Sequence, residues 1–159
     1  MTTTPFFHGT FTLKRKWAAS PERIFEAWSD PAIKAQWFTG PPEQWTLGKR
    51  SMDFRVGGHE LLEGHFTQSG LVTRFDARFH LIEPGQRLVY AYDLYHSGMF
   101  HSVTLSSLEL EADGDGTRVS YTEQIVFLDG EDGTEARRHG TGIQFDMIEH
   151  VLQSLGVIQ

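Results

Sequence analysis

Turn signals recur at short intervals through the middle of the chain, and strict alternation fills the stretches between them. Gly57-Gly58, Ser69-Gly70, Pro84-Gly85, Ser97-Gly98 and Asp113-Gly114-Asp115-Gly116 each favour a reversal. Before the first, Met52, Phe54 and Val56 alternate with Asp53 and Arg55. After it come Leu62 to Phe66, then Phe75, Ala77, Phe79 and Leu81, then Leu88, Tyr90, Tyr92 and Leu94. Ser102 to Leu110 and Thr117 to Leu128 complete the series. Side chains that alternate with period two line one face of a strand. Strands separated by such turns form successive antiparallel hairpins.

The flanks add one strand and three helices. Phe11, Leu13 and Trp17 share a face of a strand predicted over Phe6 to Trp17. Ser20-Pro21 and Asp30-Pro31 each place a capping side chain before a proline at the first helical position. Two short helices follow, burying Ile24, Phe25 and Trp28, then Ile33 and Trp37. Thr39 to Gly48, with Pro41 and Pro42, reads as a loop. A long helix is predicted from about Glu135 to Leu155, with Ile143, Met147, Ile148, Val151, Leu152 and Leu155 as its apolar arc. The expectation is one α+β domain, residues 6–157: a curved seven-stranded antiparallel sheet, two short helices after the first strand, and the last helix covering one sheet face. The aromatic content of 13 % supplies lining for a pocket between sheet and helix.

Composition removes several classes of function. The net charge is −7, which argues against nucleic acid or an anionic membrane as partner. The chain has no cysteine, so thiolate metal sites and thiol nucleophiles are excluded, and a cytoplasmic location is expected. Met1 to Lys16 carries no readable signal peptide, and no apolar run is long enough to span a membrane. Nucleotide-binding glycine motifs and the nucleophile elbow are missing, so no cofactor is expected. His59 and His65, six apart on one strand, lie roughly 20 Å from each other at ~3.3 Å per residue and cannot share an ion. His96 and His101 flank a hairpin tip without a third ligand, so no metal is expected either.

Several stretches resemble a known family. Ala18-Ala19-Ser20-Pro21-Glu22-Arg23-Ile24-Phe25-Glu26-Ala27-Trp28-Ser29-Asp30-Pro31 with Trp37-Phe38 resembles its opening signature, and Asp53-Phe54-Arg55-Val56-Gly57-Gly58 its second marker. Arg87 to Tyr92, Gly116-Thr117-Arg118, Thr122-Glu123-Gln124, Asp129-Gly130 and Gly140-Thr141 are similar to later segments. The family is the bacterial group related to the C-terminal domain of the heat-shock-protein-90 ATPase activator. It lies within the START, polyketide-cyclase and birch-pollen-allergen-like superfamily. The resemblance spans about Phe11 to Leu155, with Ile143 where many relatives place a Trp. It implies a helix-grip fold; the one domain expected here lacks the separate N-terminal domain of the eukaryotic activator, which counts against a co-chaperone role. It also implies that the first and last strands are antiparallel neighbours.

Within that frame a cavity between sheet and C-terminal helix is expected, lined by Phe75, Phe79, Tyr90, Tyr92 and Tyr121. Gly140 and Gln144 would form its roof. Glu123 and Arg15 are charged residues in apolar strand phases, and such groups rarely face an interior unpaired. Pairing them across the first and last strands sets Phe11 opposite Phe127 and Trp17 opposite Tyr121. Glu60, in weaker phase, is a lesser candidate. The leading reading is a module that binds a small apolar or aromatic molecule. The alternative is a cyclase- or dehydratase-type enzyme with Glu123 as acid and base, and the third is a protein-binding co-chaperone. Trp45, on a loop with little local reason to be buried, suggests a homodimer contact.

Overall fold

The computed structural model describes residues 3–159, so Met1 and Thr2 of the leader reading lie outside it. The elements follow in the order β1 Phe7–Trp17, α1 Pro21–Ser29, α2 Pro31–Trp37, β2 Trp45–Met52, β3 His59–Phe66, β4 Val72–Glu83, β5 Arg87–His96, β6 Met99–Asp113, β7 Gly116–Phe127 and α3 Thr134–Ser154. They form one seven-stranded antiparallel sheet in the order β1-β7-β6-β5-β4-β3-β2. The α1–α2 pair carries the chain from one sheet edge to the other. Among the described residues no helix is long and apolar enough to cross a membrane.

Both short helices start as their caps dictate. Ser20 accepts from the Arg23 N–H at 3.3 Å, and Asp30 accepts from Ala32 and Ile33. Asp30 also ends α1 by donating its own N–H to the Glu26 carbonyl, so one residue sets the corner between the helices. The Trp37 indole donates to the Ala27 carbonyl at 2.7 Å and fixes α2 against α1. On α2 the buried residues are Lys34 and Trp37, whereas Ile33 is only partly covered.

Two expectations about elements are corrected. The stretch beginning at Trp45 is strand β2, paired with β3, and it ends at Met52. Beyond it, Arg55 N–H reaches the Asp53 carbonyl and Gly58 N–H the Arg55 carbonyl. With Gly57 at φ 82° this closes a tight loop and turns Val56 to solvent. On α3 the stripe that packs down is Thr141, Phe145, Ile148, Val151 and Leu152. Phe145 meets Trp17, Trp28 and Tyr121 at ring-centre distances of 6.0, 5.9 and 5.3 Å. Ile143, at 54 % exposure, and Met147 lie on the helix's outer side, and Leu155 lies past its last turn.

The β1–β7 register also differs from the expected one. Phe11 stands opposite Glu123, Arg15 opposite Val119, and Trp17 opposite Thr117. The observed offset is four residues from the predicted one, so every side chain keeps its face but changes its partner. It pairs the strands from Phe7↔Phe127 to Trp17↔Thr117, whereas the predicted register would leave the start of β7 without a neighbour in β1. Arg15 therefore does not meet Glu123. Its guanidinium reaches Asp146 on α3 at 3.2 Å and lies over the Phe145 ring.

Candidate functional site

A cavity of about 580 Å³ lies between the sheet, α2 and α3. The sequence-derived residues Phe75, Tyr90, Tyr92, Tyr121, Glu123, Gly140 and Gln144 all line it. Phe79 is fully buried behind the wall and Arg15 lies outside it, so neither borders the space. Trp45, expected on the surface, is buried in the cavity wall. Its indole donates to Thr73 Oγ1 at 3.1 Å, and its ring fills the space that a side chain at Gly64 would need. The basis for a Trp45-mediated dimer contact is thereby removed. Ala136 and Gly140 line the cavity yet remain exposed, which puts its mouth beside the first half of α3.

The inner face of β6 explains why there is room. Ser102, Thr104 and Ser106 occupy successive inward positions, all fully buried. Three small hydroxyl residues in a row leave space above them and offer polar atoms to neighbours. Glu123 on β7, 2 % exposed, occupies this region. Its Oε2 accepts from the Tyr121 hydroxyl at 2.6 Å and the Tyr92 hydroxyl at 2.8 Å, with Ser106 Oγ at 3.4 Å. Because Tyr121 gives its proton to the carboxylate, its oxygen accepts from Tyr90 at 2.9 Å. Burial, reinforced by the Glu123 charge, pushes all three phenols upward, so they remain neutral donors.

The cation beside Glu123 is Arg137 of α3, at 3.7 Å from Oε1. Its guanidinium donates to Tyr92 at 3.0 Å, Thr104 at 2.9 Å and Ser102 at 2.7 Å. Ser102, accepting from Arg137, has its own proton free for His101 Nδ1 at 3.1 Å. The neutral His101 then carries its proton on Nε2, facing Asp129 at 3.3 Å. Burial, then the adjacent His96, holds His101 below the ordinary histidine range against the pull of Asp129. The His96 and His101 rings are 4.2 Å apart at the cavity edge. A register shift between Leu94 and Tyr95 leaves His101 as the extra residue of a bulge, which re-aims it inward beside Ser102.

A second buried ion pair closes the other part of the cavity. Lys34 Nζ on α2 meets Glu60 Oε1 on β3 at 2.5 Å, with both side chains almost wholly covered. The ammonium lies 5.0 Å from the Phe38 ring centre and 5.8 Å from that of Tyr90. Burial lowers the Lys34 pKa, and Glu60 opposes that shift. Among the described residues, no group of three or more His, Asp or Glu side chains is arranged to hold a metal.

Sequence reasoning missed Lys34 and Arg137. Arg137 precedes Thr141 and Phe145 on the same helical stripe. That spacing is readable once Phe145, rather than Ile143, is taken as the centre. For Lys34 the seven residues of α2 are too few for periodicity to decide between Ile33 and Lys34.

A curved antiparallel sheet gripping a long C-terminal helix, with a cavity between them, defines the helix-grip class. Residues 18–155 match the family described as Activator of Hsp90 ATPase homolog 1-like protein, and the chain belongs to that family. Solved structures agree. An uncharacterised protein of Rhizobium leguminosarum is 37 % identical, with a TM-score of 0.88 over 94 % of this chain and 97 % of that one. A Rhizobium loti protein is 36 % identical, with a TM-score of 0.85 over 93 % and 99 %. A Chromobacterium violaceum protein is 26 % identical, with a TM-score of 0.71 over 89 % and 96 %. No curated protein matches the chain.

Proposed function

We propose that this protein is a binding module for a small apolar or aromatic molecule, held between the sheet and α3. The cavity carries the reading. Its volume falls within the roughly 300–1,000 Å³ of small-molecule sites, which combine apolar walls with a few convergent polar groups. Here the walls include Phe38, Phe75, Tyr92 and Phe145, and the polar groups converge around Glu123 and Arg137. Cytoplasmic residence belongs to the same reading, and the cysteine-free composition fits a reducing compartment.

A catalytic role for Glu123 is the second reading. What favours it is a buried carboxylate with one oxygen bonded by two phenols and the other without a hydrogen-bond partner. A co-chaperone role stands third and is carried by the family name alone.

The test is a thermal-shift and native mass-spectrometry screen against fatty acids, polyketides and polycyclic aromatics. A ligand at a hundred times its Kd stabilises by about 2.7 kcal/mol, which for a chain of this size raises Tm by roughly 5–10 °C. Turnover of a retained compound that is lost in Glu123→Gln supports the enzyme reading. A flat response across all three classes overturns the binding reading.

A further inference from the structure

The charges around the cavity cancel in pairs. Lys34 is bound to Glu60 and ringed by aromatic faces. Arg137 faces Glu123, and both of its terminal nitrogens are engaged by the hydroxyls of Tyr92, Thr104 and Ser102. Each cation is already neutralised by a carboxylate, so an incoming anion would bring uncompensated negative charge.

What the wall leaves unpaired is an acceptor. Glu123 Oε2 takes the phenol protons, while Oε1 has no hydrogen-bond partner and lies 3.7 Å from Arg137, beyond a hydrogen bond. A buried carboxylate oxygen without a donor is costly, and a donor brought by a ligand relieves that cost. Gln144 lines the same cavity half-buried, and its amide has no side-chain hydrogen bond among the described residues. Gln144 therefore accommodates either a donor or an acceptor, which leaves Glu123 to set the preference.

We propose that Glu123 anchors the hydrogen-bond donor of an uncharged aromatic ligand, a phenol in the simplest case, and that the cavity rejects aromatic carboxylates. The proposal rests on the binding reading above and adds the ligand class. Oε1 is covered as the side chain stands, and a small turn of the carboxylate toward the cavity lets a phenol give it the missing donor. A methyl ether of the same shape leaves the oxygen unpaired. A carboxylate sets a second negative charge beside Glu123 where each cation is already neutralised by one carboxylate.

The experiment is calorimetric titration of the full chain with 2-naphthol, 2-methoxynaphthalene and 2-naphthoate at pH 7. The expected order is naphthol tightest, the ether weaker by at least about tenfold, as loss of a hydrogen bond to a charged group implies, and the naphthoate weakest. In Glu123→Gln, naphthol and ether should converge to within about threefold. If that variant does not fold, the three-ligand order in the unmodified protein stands as the test. Equal affinity for naphthol and ether overturns the anchor while leaving the binding reading intact. Tightest binding of the naphthoate overturns it in favour of Arg137 as an anion site. Failure of all three to bind overturns the phenol anchor, and the wider screen of fatty acids and polyketides then decides the binding reading.

Discussion

Lys34→Met takes from buried Glu60 its direct ionic partner and leaves it the more distant Arg50. In the folded protein the two side chains are 4 % and 5 % exposed and touch each other directly. Methionine fills the lysine's place among the rings of Phe38, Trp37 and Tyr90, so the apolar packing survives. The lost partner is electrostatic. A buried carboxylate without that partner escapes its desolvation cost by taking a proton, and an ordinary glutamate near pH 4.3 requires about 3.7 kcal/mol to do so at pH 7, at about 1.36 kcal/mol per pH unit. That value lies inside the ~3–5 kcal/mol typical of a broken buried pair. For a chain of this length it lowers Tm by roughly 7–15 °C. The sign follows from linkage: folded Lys34→Met keeps a proton that its unfolded chain releases, so the variant loses stability as pH rises above about 4.3. At pH 5 the penalty shrinks to about 1 kcal/mol. Urea unfolding at pH 5, 6 and 7 reads both size and slope. Lys34→Met/Glu60→Leu should recover most of the loss, because an apolar pair of similar volume replaces the ion pair. A cost below about 1 kcal/mol at pH 7, as for an exposed pair, or a cost independent of pH, refutes the reasoning.

Two further predictions concern α3 and the cavity edge. A Cβ at Gly140 or Gly142 meets nothing within 4 Å, so alanine at either position should stabilise the helix by about 0.5–1 kcal/mol in thermal melts. Phenylalanine at 140 should additionally abolish ligand binding, since only Gly140 lines the cavity, and phenylalanine at 142 should not. His96 and His101 are both held below the ordinary histidine pKa, first by burial. Below pH 6.5 the unfolded chain therefore binds protons that the folded chain resists, and stability falls as pH drops from 6.5 through the folded pKa values. The fall in Tm over that range should be smaller in His96→Gln/His101→Gln.

The strands were legible because period-two alternation is local, and the turns between them carry their own residues. Ser97 at φ 49° and Gly98 at φ 82° are a case in point, both in the left-handed conformation that a tight hairpin needs. Parity, however, fixes a face and not an offset. Arg15 and Glu123 were placed on the correct strand phases, yet a shift of four residues left every phase intact and gave each a different partner. Glu123 stood out as a charge among apolar residues. Its partner Arg137 did not, because it lies on another element and on a helix whose exposed Ile143 and Met147 imitate a buried arc. Trp45 was read as exposed for the same reason: what covers it is Gly64 of β3 and Thr73 of β4, distant in sequence.

A small aromatic molecule is expected to bind between the sheet and α3, and amide-resolved NMR titration reads that site residue by residue. With 2-naphthol added to the isotopically labelled protein, shifts should concentrate at Phe75, Tyr92, Tyr121, Thr141 and Gln144, all on the cavity wall. They should vanish in Gly140→Phe and persist in Gly142→Phe. Shifts confined to the exposed residues of β6, such as Met99, Val103 and Leu105, or a spectrum unchanged at millimolar ligand, would contradict the account.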